Sequence, residues 1–329
     1  MNAEELLQRY EAGERDFSHE NLIGIRLEHV QLPGINLQGA YLGSAHLSRT
    51  SFVGANLEGA FLYGADLSYT KLIDANLSHA DLTKANLQGA NLVRAQLPEC
   101  RLSGARLSGV NLRSANLRNV NLCGSNLEGI NLRSANLSGA NLSWANLNGA
   151  RLSGVRFEGA ILSGIKLAGA YMNGVDLHGF DLDGVDLSEA KLSGCNLSDS
   201  VLTAANLSGA QMRVARLIRA NLRAANLTMA LLLRANLSEA DLSKADCSTT
   251  DFREADCSQT NFNGALLEGA DFSEARLCGA YLWSAKLRDA ILRRTNFRGA
   301  SLRGADTTGA DQQDAILTEA TMPDGTVFA

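Results

Sequence analysis

Aromatic residues are scarce in this chain of 329 residues, at 5% of its positions. So few large rings cannot fill the interior of an ordinary globular protein of this length, and smaller side chains must do so. Proline is rarer still, with three residues against 31 glycines. No apolar run approaches the roughly 18 residues that a membrane-spanning helix requires, so we expect no membrane insertion.

Motifs that carry known chemistry are absent as well. The sequence has no GxGxxG, no phosphate-binding loop, no HExxH and no GxSxG. Its six cysteines include no CxxC pair, and its five histidines are scattered. We therefore expect no enzymatic activity, no cofactor and no metal ion. Four of the cysteines occupy inward positions, where we expect them to pack as reduced thiols.

A strong excess of one charge is also missing, because 35 acidic residues are nearly balanced by 30 basic ones. A net charge of −5 gives no general affinity for nucleic acid, so direct nucleic-acid binding is not expected. The N-terminal MNAEELLQRY lacks the basic and then apolar pattern of a secretory signal. We expect a cytoplasmic protein.

What the chain does have is a five-residue repeat, clearest from Ala135 to Ala150, which reads ANLSGANLSWANLNGA. On an α-helix, leucines five apart would lie about 140° from one another, so no apolar stripe could form. On a flat strand, every second leucine would face water. A bend in each unit removes both problems, because Ala and Leu, two apart, then point to the same interior. The repeat predicts a coil that stacks on itself.

The two residues after each central Leu have the composition of a turn. Of the 31 glycines, 28 occupy the second of these positions, and all three prolines occupy the first. Proline first and glycine second is typical of a type II turn, whose second central residue has a positive φ. We therefore expect a bend at this point in every unit.

The order Ala, then Asn or Asp, then Leu and two variable residues, as in Ala135-Asn136-Leu137, resembles the motif of the pentapeptide-repeat family. The resemblance covers about nine-tenths of the chain. It implies an all-β fold, a right-handed quadrilateral parallel β-helix with four units per coil. A central residue recurs at every fifth position from Phe17 to Leu302, which makes 58 units, or about 14 to 15 coils.

The pattern divides the chain into three parts. Residues 1–15 are predicted to form a short N-terminal capping helix, because Asn2 and Glu5 make a capping box ahead of an apolar helix face. Residues 16–305 form the β-helix. In residues 306–329 the central Leu is replaced at Thr307 and Gln312 before Leu317 and Met322 resume the register, so we expect a degenerate final coil and a C-terminal cap or tail. That tail could close its own open end or join a second copy in an end-to-end homodimer.

Acidic residues also occur immediately before the central residue, as at Asp176, Asp181 and Asp186. Asn fills the same place in other units. Acid or base chemistry would need one particular carboxyl group, whereas an interchange of Asp and Asn indicates hydrogen bonding to nearby backbone.

Charge is arranged in bands of alternating sign along the chain. Residues 94–156 contain eight arginines and two glutamates, and residues 158–199 contain seven acids and two lysines. Residues 213–234, 239–274 and 276–303 continue as basic, acidic and basic bands. Two interpretations stay open: the bands steer a partner into register, or they form a solvated surface on which neighbouring bands screen each other.

Outward aromatic residues form two candidate contact patches. Tyr41 and Phe61 are 20 positions apart, so four units per coil would stack them on successive coils, with Tyr63 beside Phe61. Tyr281 and Trp283 make a smaller pair. Because Tyr and Trp are enriched at protein interfaces, these side chains are the predicted protein-contact site. Packing of the first patch against the N-terminal helix is the competing explanation.

These features predict a non-enzymatic rigid scaffold that binds another protein. The segments LLQRYEAGERDF and MPDGT resemble cyanobacterial pentapeptide-repeat proteins, some of which act in regulatory protein contacts. The resemblance also implies an alternative, a DNA mimic, since some members of the family inhibit or protect DNA gyrase. A mimic needs a largely continuous acidic face, and the arginine-rich bands interrupt it.

Overall fold

A five-residue backbone pattern runs through the protein, whose computed structural model describes all 329 residues. From residue 16 onwards, each unit has one residue in a β-bridge, then a central residue and a two-residue turn. The bridges are parallel and join residues 20 apart, as at Asn36 and Asn56. Four units therefore complete one coil, as the family resemblance implied. The chain divides into two compact units, Met1–Ile165 (unit 1) and Lys166–Ala329 (unit 2).

The interior is filled by the central residue and by the small residue two places before it. Ala135 and Leu137, for example, are both fully buried. Where Thr takes the small position, its hydroxyl donates to a backbone carbonyl, as Thr250 Oγ1 does to Leu227 O at 2.7 Å. A small polar residue is therefore tolerated, because its buried donor is satisfied.

From Ile35 to Ala320, each turn is closed by a hydrogen bond from the next small residue to the central residue, such as Ala140 N to Leu137 O at 2.9 Å. The second turn residue has a positive φ in every unit from His19 to Glu319. Glycine supplies 28 of these residues, and 33 are other types. The predicted bend is confirmed, but the bend does not require glycine.

An amide ladder runs along the outside of the coils, at the position before the central residue. Asn56 Nδ2 donates to Asn36 Oδ1 at 3.0 Å, and Asn76 Nδ2 donates to Asn56 Oδ1 at 3.3 Å. The Asn56 oxygen also accepts from the backbone amide of Glu58 at 3.2 Å. The ladder thus ties each turn to the coil above and below it.

The acidic residues at this position play the same part. Asp176, Asp181 and Asp186 each accept from the backbone amide two residues later, at distances from 3.0 to 3.2 Å. This confirms the predicted structural role, because Asn and Asp present the same acceptor oxygen to the turn.

Unit 1 begins with one helix, α1, which spans Ala3–Glu11. The Asn2 side chain accepts from Glu5 N at 2.8 Å, so half of the predicted capping box is present. Leu6 is fully buried, and Tyr10 Oη donates to Pro33 O at 2.8 Å. These contacts tie α1 to the first coils. The bridges of unit 1 run from Asp16 paired with Asn36 to Asn141 paired with Ile161. No helix of the protein is long and apolar enough to cross a bilayer.

The bridges of unit 2 run from Lys166 paired with Asp186 to Ser301 paired with Thr321. The chain then reverses, and Thr321 pairs with Val327 in an antiparallel bridge. In the last coil the polar central residues are only partly buried. The C-terminal residues therefore form a small hairpin at the end of this unit.

Candidate functional site

The aromatic side chains of Tyr41 and Phe61 lie together on the surface of unit 1. Their residues form one of the parallel bridges, and their rings stack with centroids 4.9 Å apart and planes at 5°. Each side chain is 47% exposed. An ion pair of Arg9 with Glu20 and a hydrogen bond from Tyr10 to Pro33 tie α1 to residues outside this pair.

Beside the aromatic pair lies a groove of about 320 Å³, which we name the Gly59 groove. Its lining consists of turn residues and outward residues from successive coils: His19, Gln38, Gly39, Tyr41, Glu58, Gly59, Phe61 and His79. Gly59 leaves the space open. No atom lies within 4 Å of the position that a Cβ would take at Gly59, whereas the His19 imidazole fills that position at Gly39.

The charged group in the lining of this groove that has no ion pair is the Glu58 carboxylate. Glu58 Oε2 accepts from Asn76 Nδ2 at 3.1 Å, and the side chain is partly buried. His79 Nδ1, in contrast, lies 3.4 Å from Glu99 Oε2. The groove therefore combines an aromatic wall with one carboxylate that has acceptor capacity to spare.

Tyr63 does not line the Gly59 groove, although the sequence placed it beside Phe61. The ammonium of Lys84 lies 5.5 Å from the centre of the Tyr63 ring. A hydrogen bond to Tyr63 raises the pKa of Lys84. Tyr63 is therefore already engaged by a cation of its own chain.

The second predicted pair lies in unit 2, where Tyr281 is 54% and Trp283 60% exposed. Their rings do not stack on each other, because they occupy different positions of the same unit. The Trp283 amide donates to Asn263 Oδ1 at 2.8 Å, which fixes the backbone there. The structure thus leaves both side chains available without joining them in one groove.

Sequence reasoning missed two surface features. Trp144 is 70% exposed, and its ring covers the backbone of Gly164 one coil further on. A cavity of about 310 Å³ in unit 2 is lined by Asp199 and Arg219 among others. The regular spacing of 20 could have located both, since it aligns each side chain with the residue above it. In the second cavity the carboxylate is already paired with the guanidinium, at 2.7 and 2.8 Å, so that site is the weaker candidate.

Ion pairs connect several of the charge bands. Arg219 pairs with Asp199, Arg234 with Glu254 and Arg294 with Glu274, each pair joining equivalent turn positions of consecutive coils. Every pair links a basic band to a neighbouring acidic one. This arrangement favours the interpretation in which the bands screen each other.

Four of the six cysteines are buried thiols with a raised pKa, which makes them poorly reactive. Burial raises the pKa of Cys100 to about 12 and that of Cys195 to about 11. Cys247 and Cys257 are fully buried free thiols whose pKa is raised for the same reason. The structure brings together no group of three His, Cys, Asp or Glu side chains that could hold a metal ion.

Stacked coils of 20 residues, each built from four bent units, define a parallel β-helix of the pentapeptide type. Overlapping segments from residue 21 to residue 324 match the family model described as pentapeptide repeats. The chain belongs to the pentapeptide-repeat family. Its members form right-handed quadrilateral β-helices and are generally non-catalytic scaffolds.

Several solved structures resemble the chain. HetL, a pentapeptide repeat protein involved in heterocyst differentiation regulation from the cyanobacterium Nostoc sp. strain PCC 7120, is 30% identical, with 100% of each chain covered and a TM-score of 0.21. A pentapeptide repeat protein from the Arabidopsis thaliana thylakoid lumen is 26% identical over 32% of this chain and 70% of that one, with a TM-score of 0.26.

QnrB1, a plasmid-mediated fluoroquinolone resistance protein, is 20% identical over 54% of this chain and 92% of its own, with a TM-score of 0.33. No curated protein matches the chain significantly. The family assignment therefore rests on the match of the repeat to the family model.

Proposed function

We propose that the protein is a non-enzymatic scaffold that binds another protein through the surface around Tyr41 and Phe61. The observation that supports this is an exposed, parallel aromatic pair beside the open Gly59 groove. A partner that covered the pair would remove apolar area from water, and the stacked coils would not have to rearrange. Tyr63, Tyr281 and Trp283 are proposed as further contacts.

The kind of contact that we propose is regulatory. HetL, at 30% identity over its full length, is described as involved in the regulation of differentiation. Extending a regulatory role to this chain is an inference from that likeness. A regulatory role of this kind requires a protein partner but no chemical reaction at the site.

Affinity capture with variants tests the proposal. The double variant Tyr41→Ala/Phe61→Ala should lose the partner that the unchanged protein retains, because truncated aromatic anchors usually weaken an interface most. Tyr171→Ala is the matched control, since Tyr171 is also 47% exposed but lies in unit 2. Retention of the same partners by the double variant would show that another surface binds them.

The alternative, mimicry of DNA at DNA gyrase, has less support. Residues 94–156 place exposed arginines on unit 1, including Arg113 and Arg133, which occupy the same position in consecutive coils. A DNA-binding site would meet positive charge there instead of the phosphate charge that it reads. Inhibition or protection of gyrase in a supercoiling assay with the purified protein would reverse this preference.

We also propose an assembly and a division of the chain. Residues 1–15 cap the β-helix of residues 16–305, and residues 306–329 provide the contact of an end-to-end homodimer. Ile316, Val327 and Phe328 support the contact, since they are 47%, 67% and 48% exposed at this end of unit 2. If the unchanged protein is a dimer by light scattering, Val327→Asp should convert it to a monomer.

A further inference from the structure

The lining of the Gly59 groove combines two kinds of chemistry. Tyr41 and Phe61 contribute apolar rings, and Gln38 and Glu58 contribute oxygen acceptors. An occupant that matches both needs an apolar stem and a head group made of donors. This describes a long cationic side chain.

Unit 1 holds four cations of its own against aromatic rings, and two of these contacts join neighbouring coils. The Arg49 guanidinium lies 5.1 Å from the centre of the Tyr69 ring, and the Lys84 ammonium lies 5.5 Å from that of Tyr63. Both cations come from the neighbouring coil. The stacked pair in the Gly59 groove has no such cation from this chain.

We propose that the Gly59 groove binds an arginine side chain of the partner protein, with its methylene stem against Tyr41 and Phe61 and its guanidinium donating to Glu58. This inference rests on the proposed function and deepens it. Arginine fits better than lysine, because its planar fork can donate to the Glu58 carboxylate and the Gln38 amide oxygen at once. Its weaker hydration also lowers the cost of leaving water.

The test uses the full chain and a blocked arginine, N-acetyl-arginine methylamide, as the probe. Amide chemical shifts of Gly39 and Gly59 should change and saturate, with a dissociation constant on the order of 1 mM for so small a ligand. Blocked citrulline has the same shape without the charge and should bind at least about fivefold more weakly. Blocked lysine should fall between the two.

Two variants show whether the groove itself is the site. Gly59→Gln should abolish the shifts by filling the groove, and other residue types already adopt its backbone conformation, such as Tyr69 at φ 57°. Gly54→Gln is the matched control, since Gly54 also has a positive φ and open space around its Cβ position but does not line the groove. Glu58→Gln should weaken the arginine probe about fivefold and leave blocked citrulline unchanged.

Failure of the arginine site can be distinguished from failure of the proposed scaffold function. Absence of shifts at saturating probe, equal binding of citrulline and arginine, or unchanged binding by Gly59→Gln would overturn the arginine site. If the Tyr41→Ala/Phe61→Ala variant nevertheless loses its partner, the scaffold function stands and only the proposed occupant is wrong.

Discussion

Phe252 and Phe272 stack inside unit 2 with ring centroids 4.5 Å apart and planes at 3°. Tyr41 and Phe61 show the same offset of 20 residues and the same parallel stacking on the outside of unit 1. Both contacts follow from the spacing between neighbouring coils. The Phe252–Phe272 pair lies in the core, whereas the Tyr41–Phe61 pair is exposed on the surface.

Replacing Phe262 should destabilise the protein far more than replacing Phe61. Phe262 is fully buried and meets Phe252 and Phe272 edge to face, at 5.9 and 5.8 Å. We expect Phe262→Ala to cost about 3–5 kcal/mol and Phe61→Ala below about 1 kcal/mol. Chemical denaturation followed by circular dichroism measures the difference. Similar losses for both variants would contradict the assignment of one ring to the core and the other to the surface.

Val214→Asn should stabilise the protein. Val214 holds a φ of 51°, a region that is unfavourable for β-branched residues and more acceptable for Asn. The side chain is 50% exposed, so little packing is lost. We expect a gain of about 0.5–1 kcal/mol in the free energy of unfolding. Chemical denaturation measures the change, and a free energy of unfolding that does not rise would contradict backbone strain at Val214.

Alkylation should separate the six cysteines into two groups. Cys123 is exposed and Cys278 partly exposed, whereas the other four are buried. Burial also raises the pKa of those four, so almost none of their thiolate, the reactive form, is present near pH 8. Mass spectrometry after iodoacetamide treatment should find Cys123 and Cys278 modified in the native protein and all six modified in denaturant. Rapid native labelling of Cys247 would contradict the closed interior.

Removing the guanidinium of Arg219 should raise the pKa of Asp199. Hydrogen bonds from Arg219 now hold the pKa of that carboxyl below its ordinary value. Because the folded-state pKa is lowered, the pair adds stability above the ordinary Asp pKa, and this is lost as the pH falls through the folded-state value. Carbon-detected NMR titration of Arg219→Gln should show the higher midpoint. An unchanged midpoint would mean that another group sets it.

Much of the fold could be predicted from the five-residue period. The burial of Leu137 and Ala135 and the α1 start at Asn2 depend on spacing along the chain. The contact between Tyr41 and Phe61 also needed the four units per coil that the family resemblance implied. Spacing is a local property, so the sequence displays it directly.

The groove could not be predicted in the same way. Its volume depends on glycine at position 59, on the rotamer of His19 and on the absence of a cation over the aromatic pair. Tyr63 is an outward aromatic residue like Phe61, yet the Lys84 ammonium lies near its ring. These features depend on which side chains meet across neighbouring coils, and the type of each residue alone does not determine those contacts.

By itself, the sequence determined the five-residue unit, the residues that point inward and the position of every bend, because each follows from a repeat that is visible in the local sequence. Only the tertiary structure decided that residues such as Val214 adopt the bend without glycine, that ion pairs such as Arg219 with Asp199 link opposite charge bands, and that one aromatic pair borders an open groove. The physical reason is that stacking brings residues 20 apart into contact. The hydrogen bonds between coils then impose backbone and side-chain conformations that an isolated unit would not adopt.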